Sequence, residues 1–439
     1  MSPAELNSLG SRGQHLASSP ARIDFELFMQ ASQDPFHPED NPHGKFPLNV
    51  AENTPMIPLL KARLDAILSQ ASMPEWVFQY TATTGHPEVR AEVAKFMSEH
   101  LCHTAIAPDA IGFAAGASAI IEISSFVLAD PGDVVVIPAP SYPMYTKDLG
   151  LKSGMQRYDL QTHVDLEDHG SLGPVTTELL DKALTDLNAH GRKFRMLLIT
   201  SPDNPTGCMY SETQLRELAD WCIKHEVHLV VNEIYGLSLI DTQDEALKDD
   251  YPEALAAYSF AQLMAEKQSE YLHLWYAMSK DFAMSGMRFG IVHSLNQAFM
   301  AGLSNSNIPH MVSNLTQWLV GEMFKDTDFI EGYIRENTKR LTRSYKVVVE
   351  ALKKLGLPYV PSRGSLFVWA DFSRFLSEDS DAGQEQLWVD IFDKTGVLLT
   401  PGAGFQHEAK GLFRIVHTAV PTEHLKVAMD RMVAYLGKL

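Results

Sequence analysis

The sequence predicts an α/β protein that has a large domain with a mainly parallel sheet covered by helices, and a smaller α+β domain. Short, continuous apolar segments alternate with helical segments between residues 111 and 293, which is the pattern of buried parallel strands. After about residue 305 the pattern changes to long helices, followed by strands mixed with helices. The length of 439 residues, with 45% apolar and 21% charged residues, suits two or three domains with sizeable cores.

The composition argues against several classes of function. The formal net charge is −19, whereas nucleic acid requires a basic face, so we expect no nucleic-acid partner. The sequence has no apolar run of about 18 residues and no signal segment, so we expect no membrane partner. The three cysteines, Cys102, Cys208 and Cys222, are too sparse for a disulfide framework or a cysteine-based metal site. We therefore expect a cytoplasmic protein without a metal.

Residues 1–45 are predicted to form an extended N-terminal arm. Turn formers recur at Ser18–Pro20, Asp34–Pro38 and Asn41–Gly44, and one short helical pattern covers residues 23–30. We expect such an arm to lie on another domain or on a neighbouring subunit.

The predicted elements of the two domains follow in order. The large domain, residues 46–305, has a helix near 57–72, strands at 111–113, 134–138, 194–200, 228–231, 272–277 and 289–293, and helices at 119–129 and 212–225. The small domain, residues 306–439, is joined by a long helix within about 310–350. It has helices at 317–324, 328–355, 384–393 and 423–436, and strands at 365–370, 397–400 and 412–417.

Polar side chains follow the predicted strands at their carboxyl ends. Ser118, Tyr142, Asn204, Asn232 and Lys280 each end or closely follow one strand. Parallel sheets bind ligands at that edge, so we expect these side chains to meet at one site.

Lys280 and Arg288 are the two cations that indicate a cofactor. Lys280 follows a buried strand, where desolvation lowers the pKa of the amine and allows it to act as a nucleophile or form a Schiff base. Arg288 keeps its charge when buried, and its planar fork suits a phosphate. Together they suggest pyridoxal 5′-phosphate (PLP), while an ordinary salt bridge at a strand end is the alternative explanation.

Two further positions suit a phosphate and an aromatic ring. The small-residue turn at Ala117 and Ser118 leaves backbone N–H groups free at a helix start, which is a seat for phosphate. Tyr142, which lies between two prolines, can stack on a ring or can be an ordinary aromatic residue of a turn.

Three more positions offer polar contacts to a ring or a substrate. Asn204, in Asn-Pro-Thr-Gly, can donate to a ring hydroxyl, and Tyr235 can hydrogen-bond the same oxygen; a plain turn and a packed loop tyrosine are the alternatives. Arg414 lies inside a predicted strand, where a buried cation needs a partner. The carboxylate of a substrate or a structural carboxylate would supply that partner.

The ordered set of motifs resembles the fold-type I PLP enzymes of the aminotransferase superfamily. The set consists of Asn204–Gly207, Asn232–Tyr235, Ser279 with Lys280, Arg288, and Phe413 with Arg414, and the resemblance covers about residues 45–439. Within the superfamily the sequence is most similar to the aminocyclopropane-carboxylate (ACC) synthases, through Ser11–Gly13 with Ala17–Pro20, Ala51–Asn53, Leu128–Gly132, Gly402–Gly404 and Gly411–Arg414. The resemblance implies fold-type I architecture, a small amino-acid substrate and a homodimer with shared active sites.

The resemblance also implies a role for each site residue. Lys280 binds the cofactor covalently and then moves the substrate proton, and Tyr142 stacks on the pyridine ring. Asn204 and Tyr235 bind the phenolic oxygen of the ring, and Tyr235 is catalytic together with Lys280. Arg414 binds the α-carboxylate of the substrate, and the phosphate is held by Arg288, Ser279, Ala117 and Ser118.

Three other residues complete the implied site. Tyr80 matches the tyrosine that reaches the phosphate from the other subunit, although its distance to Gly85 is more typical of aminotransferases than of ACC synthases. Glu52 matches a carboxylate that faces the substrate side chain in ACC synthases, with Ala51 beside it; the alternative is an acid at a helix start.

Two positions depart from the family pattern. Ala277 stands where the subgroup usually has a phosphate-binding serine, and Asn232 stands where the superfamily has an aspartate. That aspartate keeps the pyridine nitrogen protonated and makes the ring an electron sink. An amide lacks the charge and can equally donate to an unprotonated nitrogen. Transamination depends on the sink more than sulfur elimination does, so Asn232 favours a lyase.

The sequence therefore predicts a PLP-dependent carbon–sulfur lyase that acts on a sulfur-containing α-amino acid. The substrate is either a sulfonium, as for ACC synthases, or a cysteine conjugate. Two alternatives remain: a PLP-dependent aminotransferase, and a degenerate PLP-binding protein with a regulatory or binding role. The presence of Lys280, Tyr235, Asn204 and Arg414 argues against the last, because binding alone needs no proton chemistry.

Overall fold

The fold is that of a computed structural model, which describes residues 6–18, 23–162, 175–253 and 255–439, with the backbone of 164–165 and 171–172. Ser19 and Pro20, which belong to the predicted turn and to one motif of the resemblance, lie outside the described residues.

The strands form one large and one small sheet, with a short two-stranded ribbon. They are β1 (Ile111–Ala114), β2 (Val134–Ala139), β3 (Gln156–Gln161), β4 (Val164–Asp165), β5 (Ser171–Leu172), β6 (Phe194–Thr200), β7 (His228–Asn232), β8 (Leu272–Ala277), β9 (Gly290–Ser294), β10 (Tyr359–Val360), β11 (Phe367–Asp371), β12 (Thr400–Pro401) and β13 (Leu412–Val416).

The large sheet has the strand order β1-β9-β8-β7-β6-β2-β3. Strands β3, β2, β6, β7 and β8 run parallel, and β9 runs antiparallel to both β8 and β1. The prediction of a mainly parallel sheet is confirmed. Strand β3 was not predicted because it lies at the sheet edge and alternates polar with apolar residues, without a continuous apolar run.

The helices cover this sheet and build the second lobe. They are α1 (Ser11–Ser18), α2 (Phe25–Gln33), α3 (Ile57–Gln70), α4 (Pro87–Phe96), α5 (Ala117–Leu128), α6 (Tyr145–Gly150), α7 (Thr177–Ala189), α8 (Glu212–Lys224), α9 (Phe260–Lys267), α10 (Met278–Asp281), α11 (Gln297–Ser306), α12 (Asn314–Phe324), α13 (Thr327–Leu355), α14 (Asp381–Thr395) and α15 (Thr422–Leu436).

Seven of these helices were not predicted: α1, α4, α6, α7, α9, α10 and α11. The longer of them bury only a narrow stripe of side chains, such as Leu180, Ala183 and Leu187 in α7, which makes a weak periodic signal.

The central strands are buried on both faces, which explains their continuous apolar sequence. In β7, Leu229 and Val231 pack in the core below the sheet with α8, whereas Val230 packs in the core above it with α5. Successive side chains of a strand point to opposite faces of the sheet, so a strand that is covered on both faces is apolar at most of its positions.

The small sheet, with the order β10-β11-β13-β12, is antiparallel and packs with α13 and α15 in a second core. Phe46 and Leu48, which the sequence assigns to the large domain, also pack in this core. The long connecting helix is α13, which begins at Thr327 because the Asp326 side chain caps it by accepting from the backbone N–H of Phe329 at 3.0 Å. In the described part of the chain, no helix has both the length and the hydropathy that a membrane span requires.

Candidate active site

One cavity at the carboxyl ends of β6, β7 and β8 brings together most of the residues that the sequence singles out. It is lined by Ala51, Ala117, Ser118, Ile121, Tyr142, Tyr145, Thr200, Asn204, Asn232, Ile234, Tyr235, Ser279, Lys280, Ser285 and Arg288. Glu52 and Arg414 lie beside this cavity through contacts described below, and Tyr80 does not line it.

Lys280 lies in the single turn α10, which directly follows β8. Its Nζ donates to the backbone oxygen of Ala51 at 2.6 Å. Burial lowers the pKa of Lys280 to about 8; the nearby Glu52 opposes the shift, and Arg414 and Arg288 add to it. Roughly a tenth of the amine is therefore neutral at pH 7, far more than for an ordinary lysine, as a lysine nucleophile requires.

The turn that carries Lys280 is anchored by Asp281, which sequence reasoning missed. Its buried carboxylate accepts from the backbone N–H of Leu237 at 3.0 Å, from Ser238 Oγ at 2.6 Å and from the Tyr276 hydroxyl at 3.0 Å. These bonds hold the strand end beside the loop after β7. The signal in the sequence was an acid directly after the candidate lysine, at a strand end.

A phosphate seat forms where the start of α5 meets Arg288. Gly116 precedes the helix with a φ of 89°, and a Cβ atom there would lie 2.3 Å from Nη2 of Arg288. Only glycine allows the guanidinium to lie this close to the helix start. Arg288 itself has a φ of 55°, and its Nη1 donates to the backbone oxygen of Ser285 at 2.8 Å. A cation beside free helical N–H groups fits the phosphate of PLP.

Asn232 and Tyr142 meet at a tyrosine that the sequence reading did not identify. Asn232 Nδ2 donates to the Tyr145 hydroxyl at 2.9 Å, and that hydroxyl lies 2.8 Å from Thr200 Oγ1. The rings of Tyr142 and Tyr145 pack edge to face, with centroids 5.2 Å apart. Tyr145 lies in a short helix with no repeated pattern, so only the fold reveals its place.

Arg414 connects the small sheet to the large one. From β13 its Nη1 donates to Asn204 Oδ1 at 2.9 Å, and its Nη2 donates to the backbone oxygen of Asn49 at 2.7 Å. The guanidinium also lies over the rings of Phe367 and Phe405, at 4.5 and 4.9 Å. These contacts orient a buried fork, 6% exposed, that suits a carboxylate.

Tyr235 is buried in the same region and packs edge to face on Phe367, with centroids 5.3 Å apart. Burial raises the pKa of Tyr235 well above its usual value, and the Arg414 charge only partly opposes this. The phenol therefore stays protonated and available as a donor.

Glu52 lies beside Lys280, and not in the first turn of a helix. Its Oε1 accepts from Ser285 Oγ at 2.9 Å, and its charge acts on the pKa of Lys280. The following single turn begins only at Thr54. Of the two interpretations from the sequence, the geometry agrees with a carboxylate that faces the site.

A second cavity lies next to the residues that follow β7. It is lined by Glu233, Ser259 and residues of α13, among others. Glu233 is engaged there by Ser259 Oγ at 2.8 Å and by the backbone N–H of Phe260 at 2.6 Å. None of the predicted site residues lines it, so the cavity around Lys280 is the candidate active site.

A fold-type I PLP enzyme requires three features that are present here. They are a lysine with a pKa near 8, a phosphate seat at a helix start and an arginine from a second lobe. The described residues fit PLP at each of these points, and the fold is the one that this class uses.

Comparison with known proteins places the chain within that class. The family model "Aminotransferase class I and II" matches residues 46–432, so the chain belongs to this family. An ACC synthase of Glycine max is 28% identical over 93% of this chain and 84% of its own length. A probable inactive ACC synthase-like protein 2 of Mus musculus is also 28% identical, over 98% of this chain and 72% of its own.

A solved structure supports the fold. An aspartate aminotransferase of Thermus thermophilus superimposes with a TM-score of 0.75 and 22% identity, covering 97% of this chain and 99% of that one. The chain is a PLP-dependent enzyme of fold type I that is similar to ACC synthases. The predicted fold class and cofactor are confirmed.

Proposed function

We propose that the protein is a carbon–sulfur lyase that acts on a sulfur-containing α-amino acid. The observation that carries the proposal is Asn232, a neutral amide at the end of β7 in the cavity of Lys280, where no described lining residue is a carboxylate. PLP, when bound, supplies a sink for the charge that develops at the substrate Cα. A weaker sink favours loss of a sulfur group over transfer of the amino group.

Three side chains have separate roles in the proposed reaction: Arg414, Lys280 and Glu52. Arg414 binds the α-carboxylate through its planar fork. Lys280 Nζ takes the proton from Cα as a general base, a step that contributes typically ~10²- to 10⁴-fold. The electron pair left at Cα then expels the sulfur group, directly or with ring closure. Glu52, beside Lys280 and Ser285, faces the side chain and complements the positive charge of a sulfonium.

Two observations favour other functions. The family to which the chain belongs is named for aminotransferases, which favours amino-group transfer. The mouse relative is named as probably inactive, which favours a binding role. The buried fork of Arg414, which suits a substrate carboxylate, argues against the binding role, because a protein that only holds PLP needs no such site.

We expect the purified enzyme to release thioether from a sulfonium amino acid, or thiol and ammonia in equal amounts from a cysteine conjugate. Asn232→Asp should shift products toward keto acid without ammonia, because a carboxylate at this place favours a protonated ring nitrogen. Thiol, ammonia and keto acid are measured for both proteins, with the exposed Asn188→Asp as the matched control.

The same assay separates the alternatives. Keto acid without ammonia from aspartate, when a second keto acid is supplied to accept the amino group, and no release of sulfur product would identify an aminotransferase. A protein that binds PLP and turns over no amino acid would have a binding role.

We also propose a homodimer whose active sites are shared. Tyr80 is fully exposed and Phe78 is 79% exposed, so two large aromatic side chains stand in solvent on one short segment. Burial of these two rings against a second subunit would remove them from water, which supports the proposed interface.

The three cysteines are free and buried, which agrees with a reducing cytoplasm.

Mixing two inactive variants tests the shared site. Lys280→Ala and Tyr80→Ala subunits should together recover activity, because a mixed dimer contains one site with both residues intact if Tyr80 acts on the partner. Each variant alone is the control. No recovery in a verified mixed dimer would place Tyr80 in its own subunit's site, and a monomer in solution would contradict the proposal altogether.

A further inference from the structure

The amide of Asn232 is held at both ends. Its Nδ2 donates to the Tyr145 hydroxyl at 2.9 Å, and its Oδ1 accepts from the backbone N–H of Ile234 at 3.2 Å. An amide nitrogen only donates and an amide oxygen only accepts. If the side chain turned over, its NH₂ group would face the N–H of Ile234. The backbone N–H of Ile234 and the Tyr145 hydroxyl therefore both favour this orientation of the amide.

Tyr145 sets the direction of the hydrogen bonds at this wall of the cavity. Its hydroxyl accepts from Asn232 and lies 2.8 Å from Thr200 Oγ1. Because the phenol oxygen accepts from Asn232, its own proton is available for the hydrogen bond with Thr200. Burial raises the pKa of Tyr145, so the phenol is neutral. The chain of hydrogen bonds from Asn232 through Tyr145 to Thr200 therefore carries no charge.

Among the described residues, no carboxylate lines the cavity beside this neutral chain. The charged side chains that line the cavity, among the described residues, are Lys280 and Arg288. Asp203 acts on Tyr145 from outside the lining, and its Oδ2 accepts from Thr206 Oγ1 at 2.7 Å and from the Thr206 N–H at 3.1 Å. A protonated ring nitrogen would find no carboxylate partner in this lining, whereas an unprotonated nitrogen can accept the second N–H of Asn232.

We propose that Tyr145 is a positioning residue that directs the amide nitrogen of Asn232 toward PLP, so that the ring nitrogen accepts a hydrogen bond and stays unprotonated. The inference rests on PLP as cofactor and on the similarity that places Asn232 against the ring nitrogen; it does not require the proposed lyase reaction. An unprotonated ring withdraws less charge from the substrate Cα, which favours departure of a sulfur group over proton return to the cofactor.

The protonation state of the ring nitrogen is measured directly. The enzyme is loaded with PLP labelled with nitrogen-15 in the ring, and the nitrogen chemical shift is followed over the pH range in which the protein is folded. We expect an unprotonated nitrogen throughout for the wild type and a protonated one for Asn232→Asp. For Tyr145→Phe we expect the pKa of the ring nitrogen to rise by about one unit or more, so that protonation begins within this pH range. The reason is that only the N–H of Ile234 then holds the amide, and in part of the molecules its oxygen turns to the ring.

Two further variants separate positioning from a merely structural role. Thr200→Val leaves Tyr145 in place but removes the acceptor of its proton, and it should shift the titration in the same direction. Tyr251→Phe removes another buried hydroxyl, which donates to the backbone oxygen of Ser362 in the second lobe, and it should leave the nitrogen signal unchanged.

A protonated nitrogen in the wild type would overturn the proposal, even if Tyr145→Phe does not fold. An unchanged titration in both Tyr145→Phe and Thr200→Val would also overturn it. By contrast, an unprotonated nitrogen in an enzyme that transfers amino groups would contradict only the proposed lyase function.

Discussion

Replacement of Lys280 by alanine is expected to abolish turnover and to prevent covalent attachment of PLP. The Nζ atom is the amine of the cavity whose pKa burial lowers to about 8, so it is neutral enough to attack an aldehyde and to take a proton. Loss of the base alone should lower the rate ~10²- to 10⁴-fold. Borohydride reduction of the wild type, followed by peptide mapping, should place the cofactor on Lys280.

The pH dependence of the reaction between Lys280 and PLP follows from the lowered pKa of the amine. The charged amine dominates below pH 8 and the neutral amine above it, so the rate at which cofactor-free protein combines with PLP should rise through about pH 8. A rise only near the usual lysine pKa of about 10.4 would show that the amine is not desolvated. Lys354→Ala, on the exposed side of α13, is the matched control and should retain full activity. An adduct on another lysine would refute the assignment.

Replacement of Arg414 by alanine is expected to weaken the binding of α-amino acids and leave PLP bound. The guanidinium is buried between two aromatic rings, and loss of a desolvated, charge-assisted pair costs about 2–5 kcal/mol, or roughly 30- to 4,000-fold in affinity. The dissociation constant is measured from the change in the absorption of the cofactor when amino acid is added.

The controls for Arg414 separate recognition from folding. The variant should bind an amino acid no better than the corresponding amine without a carboxylate, because the missing fork is what distinguishes the two. Arg414→Lys keeps the charge but loses the bidentate geometry, so it should recover only part of the affinity. Arg414→Ala also loses the hydrogen bonds to Asn204 and Asn49, so the thermal unfolding temperature is measured to check that the variant is still folded. Arg335→Ala, an exposed arginine of α13, should change neither measurement; unchanged affinity in Arg414→Ala would make that arginine structural.

The local pattern of the sequence was sufficient to predict the central strands and the residues at their ends. Strands β6, β7 and β8 are buried on both faces, so they read as unbroken apolar runs, and the polar residue that follows each run marks the edge of the sheet. Asn204, Asn232 and Lys280 were found in this way. Strand β3 escaped because it lies at the sheet edge, where most of its residues are half-buried or exposed, and it has a mixed sequence.

The sequence by itself determined which residues reach the ligand edge of the sheet, because burial leaves a periodic trace along the chain. Only the tertiary structure decided which of them touch. Arg414 meets Asn204 across 210 positions, Lys280 meets Ala51 across 229, and Asn232 meets Tyr145 across 87. Such pairs depend on how the two lobes and the connecting loops pack, and no local period encodes that packing. For the same reason Tyr145, in a short helix with only two buried residues, became visible as a partner of Asn232 only when the sheet was assembled.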